Sequence, residues 1–123
     1  MSPETYLAAA VGCGIGAVIR FAITTRRREH HLPWPTLVAN IVGTLLLGAS
    51  AALLDSGRLS ESAAFVVGAG VAGGLTTFST LAVDAVVLWR TSRRKAVVYL
   101  AVTGILGMAA GVIGWGAASA FTA

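Results

Sequence analysis

GGLTTFSTL, residues 73–81, interrupts a run of chain that is otherwise apolar enough to cross a membrane. Gly73 and Gly74 are followed by four hydroxyl side chains, Thr76, Thr77, Ser79 and Thr80, with Phe78 among them. At about 1.5 Å per residue, a single helix from Ser62 to Trp89 is longer than the roughly 30 Å apolar core of a bilayer. Tilt or a break absorbs the excess, and two glycines followed by β-branched residues put a break at GGLTT. Backbone groups freed in lipid must be buried in protein or line a polar cavity. Two readings fit this stretch. One is a glycine kink with threonines bonding back to their own helix. The other is an ion site, because unwound carbonyls coordinate cations and half-helix N-termini face anions.

The rest of the chain supports a membrane setting. Of 123 residues, 56% are hydrophobic and only 11% are charged, and the mean hydropathy is +0.82. A water-soluble domain this small cannot hide so much apolar surface, so lipid must cover part of it. The net charge of +4 sits in two short basic clusters rather than a stripe. Acidic headgroups and membrane orientation account for them, and nucleic acid does not. Cys13 is the single cysteine, so no intrachain disulfide forms. It reads as a small packing residue. The N-terminus lacks the basic region and cleavage site of a signal peptide, so the first apolar segment is expected to be retained.

Four spans are expected in a single all-α domain, residues 1–123: roughly 3–25, 34–54, 62–89 and 96–121. Each reaches the roughly 20 residues that a crossing needs. The connections RRREHHLP, DSGRLSE and RTSRRK are short and polar, which makes successive helices antiparallel neighbours. Trp34 and Trp89 flank connections, as interfacial aromatics do. His30 and His31 fall in a basic connection and read as solvated. Gly12/Gly16, Gly70/Gly74 and Gly107/Gly111 form GxxxG pairs, which let helix backbones approach closely. Such a small, glycine-rich bundle is expected to oligomerise.

Other polar residues bear on the two readings. Thr36, Asn40 and Thr44 are spaced by four and share one face of the second span. A buried asparagine in a membrane needs a partner, and an interhelical hydrogen bond or a ligand would each serve. Tyr99 and Thr103 are likewise four apart in the fourth span, continued by Gly107. Hydroxyls and an amide donate hydrogen bonds, and an aromatic ring has a positive edge. With almost no buried carboxylate expected, this inventory suits an anion. A cation pathway favours carboxylates or rows of carbonyls.

Together these residues resemble the CrcB/Fluc fluoride channel family, over the whole chain. GGLTTFST (73–80) is close to that family's most specific signature. PTLVANIVG (35–43) is similar to its G-T-L-x-x-N-x-x-G, and GAVIRF (16–21) to its first-helix motif. The resemblance implies a dimer of antiparallel subunits with two fluoride pores at the interface. It implies a structural Na⁺, not transported, held by the backbone carbonyls of Gly73 and Thr76. It assigns the pore amide to Asn40 and an edge-on ring to Phe78. Nearby hydroxyls would come from Thr77, Ser79 and Thr80, and a polar track from Tyr99 and Thr103. Arg20 would stand at the vestibule; snorkelling to the interface is its alternative.

Three residues depart from the family pattern. Its second phenylalanine is Leu81 here, which has no positive ring edge, so a pore lined by Leu81 is expected to conduct poorly. The glycine opening the second motif is Pro35, which suits a helix start. The acidic residue after the third motif is Asp84 rather than glutamate.

The role implied is fluoride export from the cytoplasm through a multi-pass protein of the cell membrane, which gives fluoride resistance. Hydrogen fluoride enters as a neutral molecule and ionises inside, and a channel lets the anion leave. No catalytic constellation is visible in the sequence, and an enzyme is not expected. A non-conducting or partly conducting partner subunit of such a channel is one alternative, kept open by Leu81. A proton-coupled cation or drug exporter is the other. That chemistry needs a membrane carboxylate, whereas Glu4 lies at an edge and Asp84 near a span end. The connections after spans one and three carry Arg26, Arg27, Arg28, Arg90, Arg93, Arg94 and Lys95; the opposite side has Arg58 beside Asp55 and Glu61. By the positive-inside rule the basic side is cytoplasmic. This asymmetry favours one orientation, and hence a homologous partner chain of the opposite orientation over a homodimer.

Overall fold

The computed structural model describes residues 1–25 and 33–123; Arg26, Arg27, Arg28, His30 and His31 lie outside the described residues. Helix α1 spans Pro3–Thr24. Ser2 caps it, its side chain accepting from the Thr5 N–H at 3.4 Å, and Pro3 occupies the first turn, where no N–H is missed. Helix α2 spans Trp34–Asp55. It ends on Gly57, whose φ of +72° is reached cheaply without a Cβ. The Gly57 and Arg58 N–H groups return to Leu54 and Leu53 carbonyls at 3.0 and 2.9 Å.

The third span is a composite of α3 (Glu61–Phe65), a wide π-helical segment (Val66–Ala72), α4 (Gly73–Leu75) and α5 (Phe78–Thr91). Helix α6 runs from Arg93 to Thr122. Among the described residues, four helical segments are long and apolar enough to cross a membrane: Pro3–Thr24, Trp34–Asp55, Glu61–Thr91 and Arg93–Thr122. At most 28% of any of these spans is buried within the chain, so most helical surface is left for lipid or another subunit.

The third helix is broken near its middle, within the expected GGLTT, at its two threonines rather than at its glycines. Gly73 and Gly74 remain helical, and the chain becomes extended at Thr76 (φ −82°, ψ 153°) and Thr77 (φ −148°, ψ 126°). The glycines serve packing instead. A Cβ on Gly74 would collide with the backbone of Cys13, whose thiol is exposed, and one on Gly70 would lie 2.8 Å from the Ala9 carbonyl oxygen. From the facing helix, a Cβ on Gly16 would meet the backbone of Val71, Gly74 and Leu75, and one on Gly12 that of Val66 and Val71. These notches draw α1 against the first half of the third helix.

A second glycine seam joins α2 to α6, where Gly48 faces Gly111 and Trp115, and Gly114 faces Leu45 and Ala49. The tightest packing is therefore between first and third spans and between second and fourth; α1 and α2, though consecutive, touch less. Gly107, expected to pack with Gly111, has open surroundings, and Gly114 takes its place. The expected RTSRRK connection is mostly helical. Only Ser92 separates α5 from α6, capping α6 by accepting from the Lys95 N–H at 3.3 Å. Trp89 and Trp34 are exposed, and the Arg93 guanidinium lies 5.2 Å from the Trp89 ring centroid.

Candidate ion site at the broken third helix

The break can be followed bond by bond, because each freed backbone group must find a partner in a membrane. The Thr76 N–H still reaches the Ala72 carbonyl at 3.0 Å, so the first half-helix closes there. In a continuous helix the Thr77 N–H would bond to Gly73. Here it bonds to Asn40 Oδ1 at 2.7 Å. Asn40 Nδ2 donates to the Thr77 carbonyl at 3.1 Å. The side-chain amide of α2 thus pairs with both backbone groups of Thr77, as a neighbouring strand would. Its orientation is fixed, since only the oxygen can accept and only the nitrogen can donate. One Nδ2 hydrogen remains beyond the bond to Thr77.

The second half-helix starts at once. The Thr77 hydroxyl oxygen accepts from the Thr80 N–H at 3.2 Å, the usual way of satisfying an N-terminal orphan donor. The same oxygen lies 3.1 Å from Thr80 Oγ1 and 3.3 Å from Ser79 Oγ. On the other side, Arg20 Nη1 of α1 donates to the Thr76 carbonyl at 3.4 Å. Arg20, Asn40, Thr76, Thr77, Ser79 and Thr80 are therefore gathered around one break. The positive end of the α5 dipole points into it. Phe78 is not part of this packing: it is 81% exposed and projects from the chain.

The carbonyls of Gly73 and Thr76 fit a cation on chemical grounds. Both lie at the C-terminal, electronegative end of the first half-helix. Gly73 has lost the Thr77 N–H and keeps a contact from Thr76 Oγ1 at 3.4 Å. Arg20 occupies one direction on the Thr76 oxygen, and a carbonyl has two lone pairs. Among the described residues no cluster of three His, Cys, Asp or Glu side chains offers a competing metal centre.

A second polar group lies further along α5. Asp84, expected near a span end and outside the buried inventory, is only 3% exposed. Its Oδ2 accepts from Thr36 Oγ1 at 2.8 Å and from Tyr99 Oη at 3.4 Å. Leu81, Asp84 and Leu88 recur at helical spacing, and Leu81 packs against Leu88, Ala96 and Tyr99. Leu81 thus faces its own α6, unlike Phe78. Thr44 donates back to the Asn40 carbonyl at 2.7 Å and takes no part in either group. Thr103 Oγ1, one turn beyond Tyr99, is buried and has no partner among the described residues. Thr36 and Asp84 are not among the site residues expected from the sequence. The signal was present: Thr36 shares the Asn40 face, and Asp84 lies two turns after Thr77.

The family model described as CrcB-like protein, Camphor Resistance (CrcB), matches residues 7–115. The chain is similar to the fluoride-specific ion channel FluC 1 of Ligilactobacillus salivarius (strain UCC118), 38% identical over 108 residues that cover 85% of this chain and 91% of that protein. It is similar to fluoride-specific ion channel FluC 2 of Rhodococcus jostii (strain RHA1), 38% identical over 114 residues, 90% of this chain and 96% of that protein. Fluoride-specific ion channel FluC of Xanthomonas euvesicatoria pv. vesicatoria (strain 85-10) is 38% identical over 116 residues, 90% of this chain and 87% of that protein. The chain belongs to the CrcB family.

Proposed function

We propose that this CrcB-family chain is a subunit of a fluoride-selective channel in the cell membrane, exporting fluoride from the cytoplasm down its electrochemical gradient. The observation that carries the reading is the Asn40 amide, locked onto Thr77 at 2.7 and 3.1 Å with one N–H to spare. A small, strongly hydrated anion gives up water only where close donors replace it. Asn40 Nδ2, the Ser79 and Thr80 hydroxyls and the N-terminal end of α5 provide such donors without rearrangement. An inside-negative potential drives the exit, worth about 2.3 kcal/mol per 100 mV. No bond is made or broken, and the chain is not an enzyme.

Phe78 extends the path with its positive ring edge, and its exposure leaves the ring open to a second subunit. Two such subunits, oppositely oriented, would enclose two pores between them. Thr103 Oγ1 continues the donor track along α6, and Tyr99, whose single hydroxyl proton goes to Asp84, lines that track without donating to the anion. Na⁺ would be held by the backbone carbonyls of Gly73 and Thr76, and when bound it would supply a fixed positive charge at the break. Arg20 adds positive charge at the vestibule.

The partner is a homologous chain rather than a second copy. The charge asymmetry of the connections favours one orientation for this chain; Leu81, packed against its own α6, does not bear on the choice of partner. Fluoride and chloride efflux from liposomes, with this chain alone and with a homologue from the same cell, tests the reading. Fluoride flux well above chloride flux is expected; equal rates would refute it. Asn40→Asp should block. A negative charge about 4 Å from the anion costs roughly 4 kcal/mol at an effective dielectric of about 20, nearly a thousandfold at about 1.4 kcal/mol per decade.

A further inference from the structure

The peptide group joining Thr76 to Thr77 is held from both ends. Its carbonyl oxygen accepts from Arg20 Nη1 of α1 at 3.4 Å, and its N–H donates to Asn40 Oδ1 of α2 at 2.7 Å. Neither end has a helical partner, because both residues are extended. We propose that Arg20 is a positioning residue for Asn40, acting through this one peptide group, in addition to any charge it contributes at the vestibule.

The geometry gives the linkage a direction. Arg20 lies one turn beyond Gly16, where the missing Cβ seats α1 directly on the backbone of Val71, Gly74 and Leu75. The root of the guanidinium is thereby fixed relative to the break. Its partner is a neutral carbonyl, so the bond is charge-assisted on the donor side, while its length of 3.4 Å puts it at the long end of the hydrogen-bond range. A cationic donor on a peptide oxygen draws electron density from the nitrogen and makes the N–H a better donor. Hydrogen bonds in such a chain strengthen one another in a low dielectric. The better donor holds Asn40 Oδ1 more firmly, which polarises the side-chain amide in turn. The two Nδ2 hydrogens then become better donors, one toward the Thr77 carbonyl and the other toward an anion. A guanidinium that acted only through its distant field would leave the Thr77 N–H as it is.

The functional part of this inference rests on Asn40 as the anion-binding amide, whereas the linkage itself does not. The test is therefore spectroscopic and made without fluoride. Amide resonances of the ¹⁵N-labelled full chain, reconstituted with whatever partner it needs, are recorded for wild type, Arg20→Gln, Arg20→Lys and Asn40→Ala. The Thr77 amide proton, bonded at 2.7 Å, is expected to move upfield in Arg20→Gln, toward its position in Asn40→Ala. Arg20→Lys, which keeps the charge but not the planar fork, should fall between. If Arg20→Gln does not fold, Asn40→Ala reads the same linkage from the other end, as a shift of the Arg20 Nη protons. A Thr77 resonance unmoved by Arg20→Gln in a folded protein, or Arg20 protons unmoved by Asn40→Ala, would overturn the proposal. In flux, the two residues should act as one unit, with the double variant Arg20→Gln/Asn40→Ala roughly 2- to 100-fold better than the product of the single losses. Losses that simply multiply, with unmoved resonances, would leave Arg20 as a vestibule charge alone.

Discussion

Replacing Gly74 by alanine tests the packing that carries the break. A Cβ built on Gly74 lies 2.8 Å from the Cys13 carbonyl carbon and 2.9 Å from its Cα, and closer still to the carbonyl oxygen. Comfortable carbon–carbon contact begins near 3.5 Å, so α1 must retreat by roughly 0.7 Å or more. Every obstructing atom is backbone, and no rotamer change relieves it. Overpacking of this kind costs about 1–3 kcal/mol, and a rigid backbone clash belongs at the upper end. Alanine returns about 1 kcal/mol through helix propensity, leaving a net loss of about 2. Gly14, on α1 next to Cys13, has nothing within 4 Å of its added Cβ. Gly14→Ala should therefore be neutral or gain up to about 1 kcal/mol. The two variants should differ by about 3 kcal/mol, roughly a hundredfold in the folding equilibrium at about 1.4 kcal/mol per decade. Reversible unfolding in mixed detergent micelles measures this directly. Retreat of α1 also stretches the Arg20–Thr76 contact, already 3.4 Å, so fluoride efflux should fall in Gly74→Ala and hold in Gly14→Ala. Equal stability of the two would refute the idea that glycine notches set the helix spacing.

Replacing Na⁺ by a large organic cation should lower dimer stability, read by size-exclusion chromatography; unchanged stability and flux would speak against cation binding by the Gly73 and Thr76 carbonyls. Thr36→Val removes the 2.8 Å donor to buried Asp84 and should cost about 1–3 kcal/mol in a thermal melt, with Thr36→Ser close to wild type. Cysteines introduced in connections 26–33 and 55–61, in a Cys13→Ala background, should each label from one side only. Labelling of each from both sides, in cells expressing this chain alone, would show dual insertion and remove the main reason for a separate partner.

Membrane residence, four spans and a broken third helix were legible in the sequence because each rests on local properties. Apolar run length decides whether a segment can cross, and glycine beside β-branched residues weakens a helix wherever it sits. The site was legible as residue types: Asn40, the hydroxyls after Gly74, and Arg20. Which atom meets which was not. The break fell on Thr76–Thr77 rather than on the glycines because Gly70 and Gly74 are needed as helical notches against Ala9 and Cys13. That is a property of two helices together, and the third helix alone cannot express it. The same holds for helix pairing. Connection length made α1 and α2 neighbours, but the glycine seams drew α1 to the third helix and α2 to α6. Asp84 looked peripheral by its distance from the middle of its span, and only the approach of Thr36 and Tyr99 from two other helices makes it a buried acceptor. Chain-local energetics choose where a helix can break; the partners that satisfy its freed N–H and C=O groups come from other helices, and they decide where it does.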